Sequence, residues 1–221
     1  MEEAERLAWL WTDPAGAVKN VYIDQINDAD KAALRELAKD RRTIIDVGTF
    51  CGASAEALLE GQPDDGKLIT IDMFGGPVGH ESVRLPAGMI LQRVLERLAP
   101  WGPRVSVLVG VSPAVAAWFP RASADLVFLD AAHDYEAVKA DIQGWLPAVK
   151  PDGLIAGHDL DKEVFLATAE FVEEHKHLDI SFNNLHCGVA QALKDTFTRV
   201  EIINEPKCTV WCAKPEWVRA G

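Results

Sequence analysis

The sequence predicts an α/β fold in which five parallel strands and a C-terminal antiparallel hairpin form one sheet covered by helices. Two observations carry this prediction. Short apolar runs rich in β-branched residues alternate with stretches of helical period, and each connection between the first five runs contains a helix, as parallel strands require. The length of 221 residues fits one domain over residues 1–221, with its core at residues 43–214.

The predicted parallel strands are short runs in which apolar residues dominate. They are Thr43–Val47, Leu68–Asp72, Val105–Val109, Leu126–Asp130 and Leu154–His158. The helices between them are indicated by apolar spacing and by start and stop signals such as Gly61 and Pro100. These helices are expected over Ala53–Glu60, over Met89–Leu98, from an N-cap at Ser112 followed by Pro113, and over Tyr135–Leu146.

The C-terminal third departs from this alternation. Two further helices are expected around Glu163–His175 and Val189–Phe197. Two strand-like runs follow, Arg199–Ile203 and Cys208–Lys214, and only the residues 204–207 separate them. Because so short a connection cannot cross over a sheet, these runs are predicted to form an antiparallel hairpin at one edge.

Two stretches outside the strands are candidates for covering a ligand. Residues 1–42 are expected to form an N-terminal helical cap segment, in which Trp9, Trp11 and Tyr22 either pack against the core or form a flap. The stretch Gly75–Gly88 has loop chemistry and follows the carboxyl end of a strand, where ligands bind in open α/β sheets. It is therefore a candidate lid.

The charge balance excludes several kinds of partner. The chain has 22 Lys and Arg against 34 Asp and Glu, a net charge of −12, and lacks the basic clusters that bind nucleic acid. Its apolar runs are far shorter than the ~20 residues of a membrane span. The start Met1–Glu5 is acidic where a secretory signal would be basic, and the four cysteines lack metal-type spacing. A reducing, cytoplasmic location is therefore expected.

The first predicted strand runs into a turn typical of ligand binding. In the stretch Asp46–Ser54, Gly48 and Gly52 precede a helix. Glycines there let the backbone approach a ligand, and the helix N-terminus offers free N–H groups to an anion. The spacing is neither that of a phosphate loop nor that of a dinucleotide motif. A turn that needs glycine for its geometry alone is the alternative.

The next two strand ends add features of a nucleoside site. Asp72 ends the second strand, where a carboxylate can accept hydrogen bonds from both hydroxyls of a ribose. Gly110 and Ser112 follow the third strand, where backbone and a hydroxyl can lie beside an adenine edge. A solvated strand-end aspartate is the alternative for Asp72 alone, but together the three ends describe a nucleoside site.

This order of residues resembles the class I S-adenosylmethionine-dependent methyltransferases. It is most similar to the small-molecule O-methyltransferases of the catechol O-methyltransferase and macrocin/cephalosporin-type groups, from about Thr43 to Lys214. The resemblance implies a Rossmann-like methyltransferase domain with a mostly parallel seven-stranded sheet, a terminal antiparallel hairpin and helices on both faces. The sequence departs from the fuller family motif at Phe50, where glycine is common.

The resemblance also implies a set of cofactor-binding residues. The loop Gly48–Gly52 and Ser54 would hold the methionine part of S-adenosylmethionine, Asp72 the ribose, and Met73 and Ser112 the adenine. The full predicted set is Asp46, Gly48, Thr49, Gly52, Ser54, Asp72, Met73, Gly110, Ser112 and Asp130.

Acidic and histidine side chains follow the fourth and fifth strands. Because adjacent parallel strands end at one edge of the sheet, Asp130, His158 and Asp159 are expected within a few ångströms of one another, roughly the span that a metal bridges. The resemblance implies that these three residues bind a divalent metal and that His133 is the general base. The expected ion is Mg or Mn, and the nitrogen of His158 makes manganese, iron or zinc more tolerable than magnesium. His186 is either a further ligand, a substrate contact or a surface residue.

The predicted function is methyl transfer from S-adenosylmethionine to a hydroxyl of a small molecule, a sugar or a secondary metabolite, assisted by a metal and with no nucleic-acid or membrane partner. A homodimer is left open. One alternative is a metal-free methyltransferase with His133 or His158 as base. Another is a short-chain-type NAD(P) oxidoreductase, since Tyr135 and Lys139 match its Y-x-x-x-K motif. A third is a cofactor-binding module that regulates a partner without catalysis.

Overall fold

The computed structural model describes residues 26–74, 87–181, 185–203 and 207–220. Within these ranges, seven strands form one sheet. They are β1 (Thr43–Val47), β2 (Lys67–Asp72), β3 (Val105–Val109), β4 (Ala124–Leu129), β5 (Val149–Gly157), β6 (Glu201–Ile202) and β7 (Trp211–Ala213). The predicted strands are confirmed, although β5 begins five positions earlier than expected and β6 and β7 are shorter.

The strands lie in the order β3-β2-β1-β4-β5-β7-β6. The first five pair in parallel, and β7 lies antiparallel between β5 and β6. Val47 of β1 is in register with both Ile71 and Leu129, so the carboxyl ends of β2, β1 and β4 lie side by side. This arrangement confirms the mostly parallel seven-stranded sheet and its C-terminal antiparallel hairpin.

Helices connect the parallel strands as predicted. The described α-helices are α1 (Asp28–Ala38), α2 (Ala53–Gly61), α3 (Ala87–Leu98), α4 (Ser112–Ala116), α5 (Tyr135–Trp145), α6 (Ala169–His175) and α7 (Cys187–Thr196). Short 3₁₀ turns cover Ala99–Arg104, Leu146–Ala148, Lys162–Leu166 and Pro215–Trp217.

The sheet separates two hydrophobic cores. The neighbours Ile44 and Ile45 of β1 are both fully buried, and because successive side chains of a strand point to opposite faces, they enter different cores. Ile44 packs with the helices α1, α2 and α3, whereas Ile45 packs with α4, α5 and α7. Helices therefore cover both faces, as expected.

The prediction that Ser112 is the N-cap of a helix is wrong. Helix α4 begins at Ser112 itself, and Val111 takes the cap position without a side-chain cap hydrogen bond. The Ser112 hydroxyl instead donates to Asp141 and accepts a hydrogen bond of 2.8 Å from Nε1 of Trp145, both on α5. Tertiary partners therefore hold the hydroxyl away from the helix end.

The predicted helix around Glu163–His175 is interrupted. A 3₁₀ turn ends at Leu166, and α6 begins at Ala169 after Thr168, whose Oγ1 accepts a hydrogen bond from the N–H of Phe171. His175, in the last turn of α6, does not face solvent. It is buried, its ring stacks on Phe171 with centroids 4.1 Å apart, and Nδ1 bonds to the Phe171 carbonyl.

The N-terminal cap segment is described from residue 26 onward. Asn27 and Asp30 form a capping box that starts α1, so residues 28–38 of this segment are helical. Trp9, Trp11 and Tyr22 lie outside the described residues, as does the candidate lid up to position 86. In the described ranges, no helix is both long and apolar enough to cross a membrane.

Candidate active site

The carboxyl ends of the five parallel strands form one continuous edge. Backbone hydrogen bonds join each end to the next, from Gly110 N–H to Asp72 O, Gly48 N–H to Ile71 O, Asp130 N–H to Val47 O and His158 N–H to Leu129 O. The predicted site residues follow these ends. The sheet therefore brings the predicted nucleoside site and the predicted acidic cluster to one edge.

Gly48 and Gly52 shape the turn after β1. Gly48 has a φ of +90°, and a Cβ at this position would lie 1.8 Å from the carbonyl oxygen of Asp130. Gly52 has a φ of +83° and is the N-cap residue of α2, which no described side chain caps. Only glycine adopts such conformations without strain, and the uncapped helix end leaves N–H groups for a ligand.

Phe50 occupies the place where the fuller family motif has glycine. Its φ of 41° is also in the left-handed region, so the backbone keeps the conformation that favours glycine. The Phe50 N–H donates a hydrogen bond of 2.9 Å to Oδ2 of Asp72. Phe50 therefore keeps the backbone conformation of the glycine that it replaces, and its N–H bonds to the last residue of β2.

Asp72 is fixed by two backbone groups. Its Oδ2 accepts from Phe50 and its Oδ1 accepts from the N–H of Phe74 at 2.7 Å. The side chain of the following Met73 is half exposed. Asp72 and Met73 thus lie beside the Gly48–Gly52 turn, whereas the hydroxyl of Ser112 is turned toward α5.

Asp46 and Thr49 lie behind the turn. Both are buried, and Thr70 links them, since its hydroxyl donates to Oδ2 of Asp46 and also contacts the Thr49 hydroxyl. Burial raises the pKa of Asp46 to about 7 despite this hydrogen bond. Ser54, in the first turn of α2, is buried as well. These side chains support the turn from the core, where a bound molecule would not reach Asp46.

The three predicted metal ligands converge as expected. Nδ1 of His158 lies 3.2 Å from Oδ1 of Asp159 and 3.7 Å from Oδ1 of Asp130. One donor atom from each residue lies within 4.8 Å of the others. Asp159 has a φ of 60°, an uncommon conformation for a residue with a side chain, and this turn directs its carboxylate toward the two neighbours.

His133 lies on the other side of the same carboxylates. Its Nε2 is 3.0 Å from Oδ2 of Asp159 and 3.9 Å from Oδ1 of Asp130, and its Nδ1 is 2.9 Å from Oδ1 of Asp179. Burial alone would lower the pKa of His133, but the three neighbouring carboxylates outweigh this effect and raise that pKa to about 12.

The charges of His158 and Asp159 stabilise each other. Burial would lower the pKa of His158, yet the charge of Asp130 and the close carboxylates of Asp159 and Asp30 hold it well above its usual range. Burial would raise the pKa of Asp159, but hydrogen bonds from His133 and His158 hold it well below its usual range. The cluster is therefore a set of closely paired opposite charges.

Sequence reasoning missed the outer carboxylates of this cluster. Asp30 of α1 lies 3.2 Å from Nε2 of His158, and Asp179 contacts His133. His186, whose role was left open, has Nδ1 2.9 Å from Oδ2 of Asp161 and 3.6 Å from Oδ1 of Asp159. No local motif marks these aspartates, because each reaches its histidine from a distant part of the chain.

The residues of the Y-x-x-x-K motif lie on α5, and the tyrosine contacts α7. The Tyr135 hydroxyl donates to Asp195 of α7 at 3.0 Å and accepts from Lys139 at 2.8 Å. The Lys139 and Lys176 ammonium groups lie 5.0 and 4.9 Å from the centre of the Tyr135 ring. These contacts give the tyrosine and the lysine a structural role, since they join α5 to α7.

Comparison with known proteins agrees with this architecture. The O-methyltransferase TomG of Streptomyces achromogenes, solved with S-adenosylmethionine and involved in tomaymycin synthesis, has 19% identity and a TM-score of 0.60, covering 97% of this chain and 90% of its own. An O-methyltransferase of Bacillus cereus, solved with S-adenosylhomocysteine, has 17% identity and a TM-score of 0.60, covering 94% of this chain and 90% of its own. At these identities the likeness shows a shared fold.

The sequence itself matches a known family, although no curated protein matches it. The matching family is described as a methyltransferase domain, and the match spans residues 45–160. This region is more than half of the chain. It runs from β1 to three residues beyond β5 and includes Asp159. The resemblance to class I S-adenosylmethionine-dependent methyltransferases is thereby confirmed, and the chain belongs to the methyltransferase-domain family.

Proposed function

We propose that this protein is an S-adenosylmethionine-dependent O-methyltransferase that methylates a hydroxyl of a small molecule, a sugar or a secondary metabolite. The observation that carries the proposal is the contact between Gly48 and Asp130, which joins the turn expected to bind the cofactor to a cluster of acidic and histidine side chains. The names of the two neighbours above, both O-methyltransferases solved with this cofactor or its product, support it.

The turn after β1 suits the methionine end of the cofactor. The uncapped start of α2, at Gly52, offers N–H groups to the methionine carboxylate. Each carboxylate oxygen of Asp72 accepts one backbone hydrogen bond and keeps a lone pair for a ribose hydroxyl. Met73 lies beside Asp72 and can cover the adenine face.

The donor set at the ends of β4 and β5 fits a divalent metal. Asp130, His158 and Asp159 present two oxygens and one nitrogen within 4.8 Å. Outer carboxylates contact the histidines, an arrangement common around metal sites. A divalent ion held by these residues would lower the pKa of a hydroxyl beside it.

His133 is placed to receive the proton of that hydroxyl. Its Nε2 faces Asp130 and Asp159, while Asp179 holds Nδ1. An imidazole accepts a proton only in its neutral form, and the neighbouring carboxylates favour the charged form. Positive charge placed beside Asp130 and Asp159 would offset this effect, so the base and the proposed metal site are complementary.

The chemistry of the transfer is simple once the reactants are aligned. The acceptor oxygen forms a bond to the methyl carbon, the bond from that carbon to sulfur breaks, and the sulfonium becomes a thioether. The hydroxyl proton goes to Nε2 of His133. The protein therefore needs to align oxygen, carbon and sulfur and to favour loss of this proton.

The proposed acceptor is a small molecule because the net charge of −12 repels polyanions. We also propose a cytoplasmic location, which agrees with the burial of all four cysteines. The oxidoreductase alternative is contradicted by membership of the methyltransferase family. The metal-free alternative, with His133 or His158 as base, is an outcome of the chelation experiment below.

The test follows labelled methyl groups from S-adenosylmethionine to a panel of catechols, other phenols and sugars. We expect label in hydroxyl compounds and none where the hydroxyl is already methylated. His133→Ala should lower turnover by about 10²–10⁴-fold with cofactor binding retained, whereas His177→Ala, at an exposed position, should not. Transfer to amines or thiols in place of hydroxyls would contradict the proposal.

A further inference from the structure

We infer that the Asp130–His158–Asp159 site selects a first-row transition-metal ion over Mg²⁺, and that the buried Asp30 sets the orientation of its histidine ligand. The inference deepens the proposed function and rests on it for the presence of a divalent metal. What carries it is the position of His158 between the carboxylates of Asp130 and Asp159 on one side and the carboxylate of Asp30 on the other.

The two ring nitrogens of His158 face opposite partners. Nδ1 faces the carboxylates of Asp130 and Asp159, at 3.7 and 3.2 Å. Nε2 faces Oδ2 of Asp30 at 3.2 Å, an ion-pair distance at an angle outside that of a hydrogen bond. The side chains of His158 and Asp30 are 8% and 1% exposed, so water hardly competes for either nitrogen. A carboxylate behind a histidine whose other nitrogen faces a metal fixes the ring and makes it a stronger ligand.

Asp30 is itself held in place by two backbone groups. Oδ1 accepts a hydrogen bond of 2.9 Å from the N–H of Thr209, and Oδ2 accepts one of 3.1 Å from the N–H of Asn27. These contacts tie the start of α1 to the segment before β7. Asp30 is therefore fixed behind His158, on the side of the ring away from Asp130 and Asp159, and acts as a positioning residue.

The nitrogen ligand decides the metal preference. Mg²⁺ prefers oxygen ligands in octahedral geometry and seldom takes imidazole. Manganese, iron, cobalt and zinc accept imidazole together with carboxylate. The site offers one imidazole, which a buried carboxylate holds in place, together with two carboxylate ligands. It is therefore suited to these ions.

The experiment measures metal binding by the full chain after metal has been stripped from it. Co²⁺ is titrated and its visible d–d absorption recorded, and Mg²⁺ is then added as competitor. We expect a saturable Co²⁺ spectrum that a large excess of Mg²⁺ does not remove. His158→Asp should weaken Co²⁺ binding by about tenfold or more and let Mg²⁺ compete. His177→Asp, a histidine change at an exposed position, is the matched control and should leave both results unchanged.

Asp30→Asn tests the positioning role. It removes the charge behind His158 at nearly constant size, so Co²⁺ affinity should fall by about 10–100-fold and the d–d bands should shift. A purely structural role would leave the spectrum of the folded variant unchanged, and far-UV circular dichroism identifies the folded fraction. If this variant does not fold, His158→Asp decides the metal preference, and Asp30→Glu, which keeps the charge but moves it, takes the place of Asp30→Asn with the same expected shift of the d–d bands.

Two results would overturn the inference: displacement of Co²⁺ by an equal concentration of Mg²⁺, or absence of a Co²⁺ spectrum in a protein that binds S-adenosylmethionine. Calorimetry with S-adenosylmethionine in EDTA tests the proposed function separately from the metal preference. Failure to bind the cofactor while Co²⁺ still binds would overturn the proposed function and leave the metal preference standing.

Discussion

Gly48 and Asp130 are in such close contact that a Cβ on the glycine would lie 1.8 Å from the aspartate carbonyl oxygen. The contact joins the ends of β1 and β4, which are neighbours in the sheet. Asp130 N–H also donates to the carbonyl of Val47, directly before Gly48. The geometry of the turn and that of the acidic cluster are therefore linked through the backbone.

Gly48→Ala tests this link. The new methyl group collides with backbone rather than with a movable side chain, and φ is positive, so we expect a loss of several kcal/mol in the free energy of unfolding, or loss of cofactor binding in any folded protein. Gly144→Ala in α5 is the control, since its Cβ would meet only ordinary contacts at 3.5 Å or more. Urea unfolding measures both variants. A Gly48→Ala protein with unchanged stability and binding would show that the contact is unimportant.

Chelation tests the metal at the site. We expect that EDTA abolishes methyl transfer to the acceptor found in the panel and that added Mn²⁺ restores it, because an ion held by Asp130, His158 and Asp159 would lower the pKa of the acceptor hydroxyl. Asp159→Ala should match the chelated wild-type protein, whereas Asp152→Ala, at an exposed position, should keep full activity. Unchanged turnover in EDTA would instead favour the metal-free alternative, with His133 or His158 as base.

The buried Asp46 should make the free energy of unfolding fall as the pH rises from 4 to 7. Its pKa is raised from 3.8 to about 7 by burial, so the folded state holds its proton more tightly than the unfolded state does. The stabilisation that the bound proton gives to the folded state is fully present below about pH 4 and is lost as the pH rises through about 7. Asp46→Asn is always neutral. We therefore expect the variant to gain stability relative to wild type, by a few kcal/mol, between pH 4 and 8.

Urea unfolding of wild type and Asp46→Asn at a series of pH values measures this difference. Other titrating groups contribute equally to both proteins and cancel in the comparison. An asparagine amide that lacks a partner at the site would lower stability by a constant amount, which leaves the slope unchanged. Parallel curves for the two proteins would show that Asp46 is ionised in the folded state.

Tyr135→Phe distinguishes a structural tyrosine from a catalytic one. The hydroxyl bonds to Lys139 and Asp195, and its removal should lower the free energy of unfolding by about 1–2 kcal/mol. Methyl transfer should stay at the wild-type level because the partners of the hydroxyl, Lys139 on α5 and Asp195 on α7, are neither predicted cofactor contacts nor predicted metal ligands. A folded variant without activity would assign Tyr135 a role in the reaction.

The strand ends could be predicted from sequence because parallel strands place successive ends at one edge. Gly48, Asp72, Asp130 and Asp159 all lie at the end of a strand, or within two residues after it, and short apolar runs reveal the limits of these strands. The hydrogen-bond partners of the Ser112 hydroxyl could not be predicted. A hydroxyl can cap a helix or bond to a distant part of the chain, and only the folded chain shows which partner is near.

The outer carboxylates were missed for a related reason. Asp30 reads as an ordinary residue in the first turn of a helix, where acids are favoured by the helix dipole. Its second contact, to His158, exists only because the fold brings the start of α1 close to the residue that follows β5. Asp179 and Asp161 likewise meet His133 and His186 through tertiary packing, which the spacing of residues along the chain does not encode.

The most direct test of the central claim is isothermal titration calorimetry of the purified protein with S-adenosylmethionine, S-adenosylhomocysteine, NAD and NADP. The account predicts saturable one-to-one binding of S-adenosylmethionine, competition by S-adenosylhomocysteine, and no heat of binding from either dinucleotide. Binding of a dinucleotide together with absence of S-adenosylmethionine binding would contradict it.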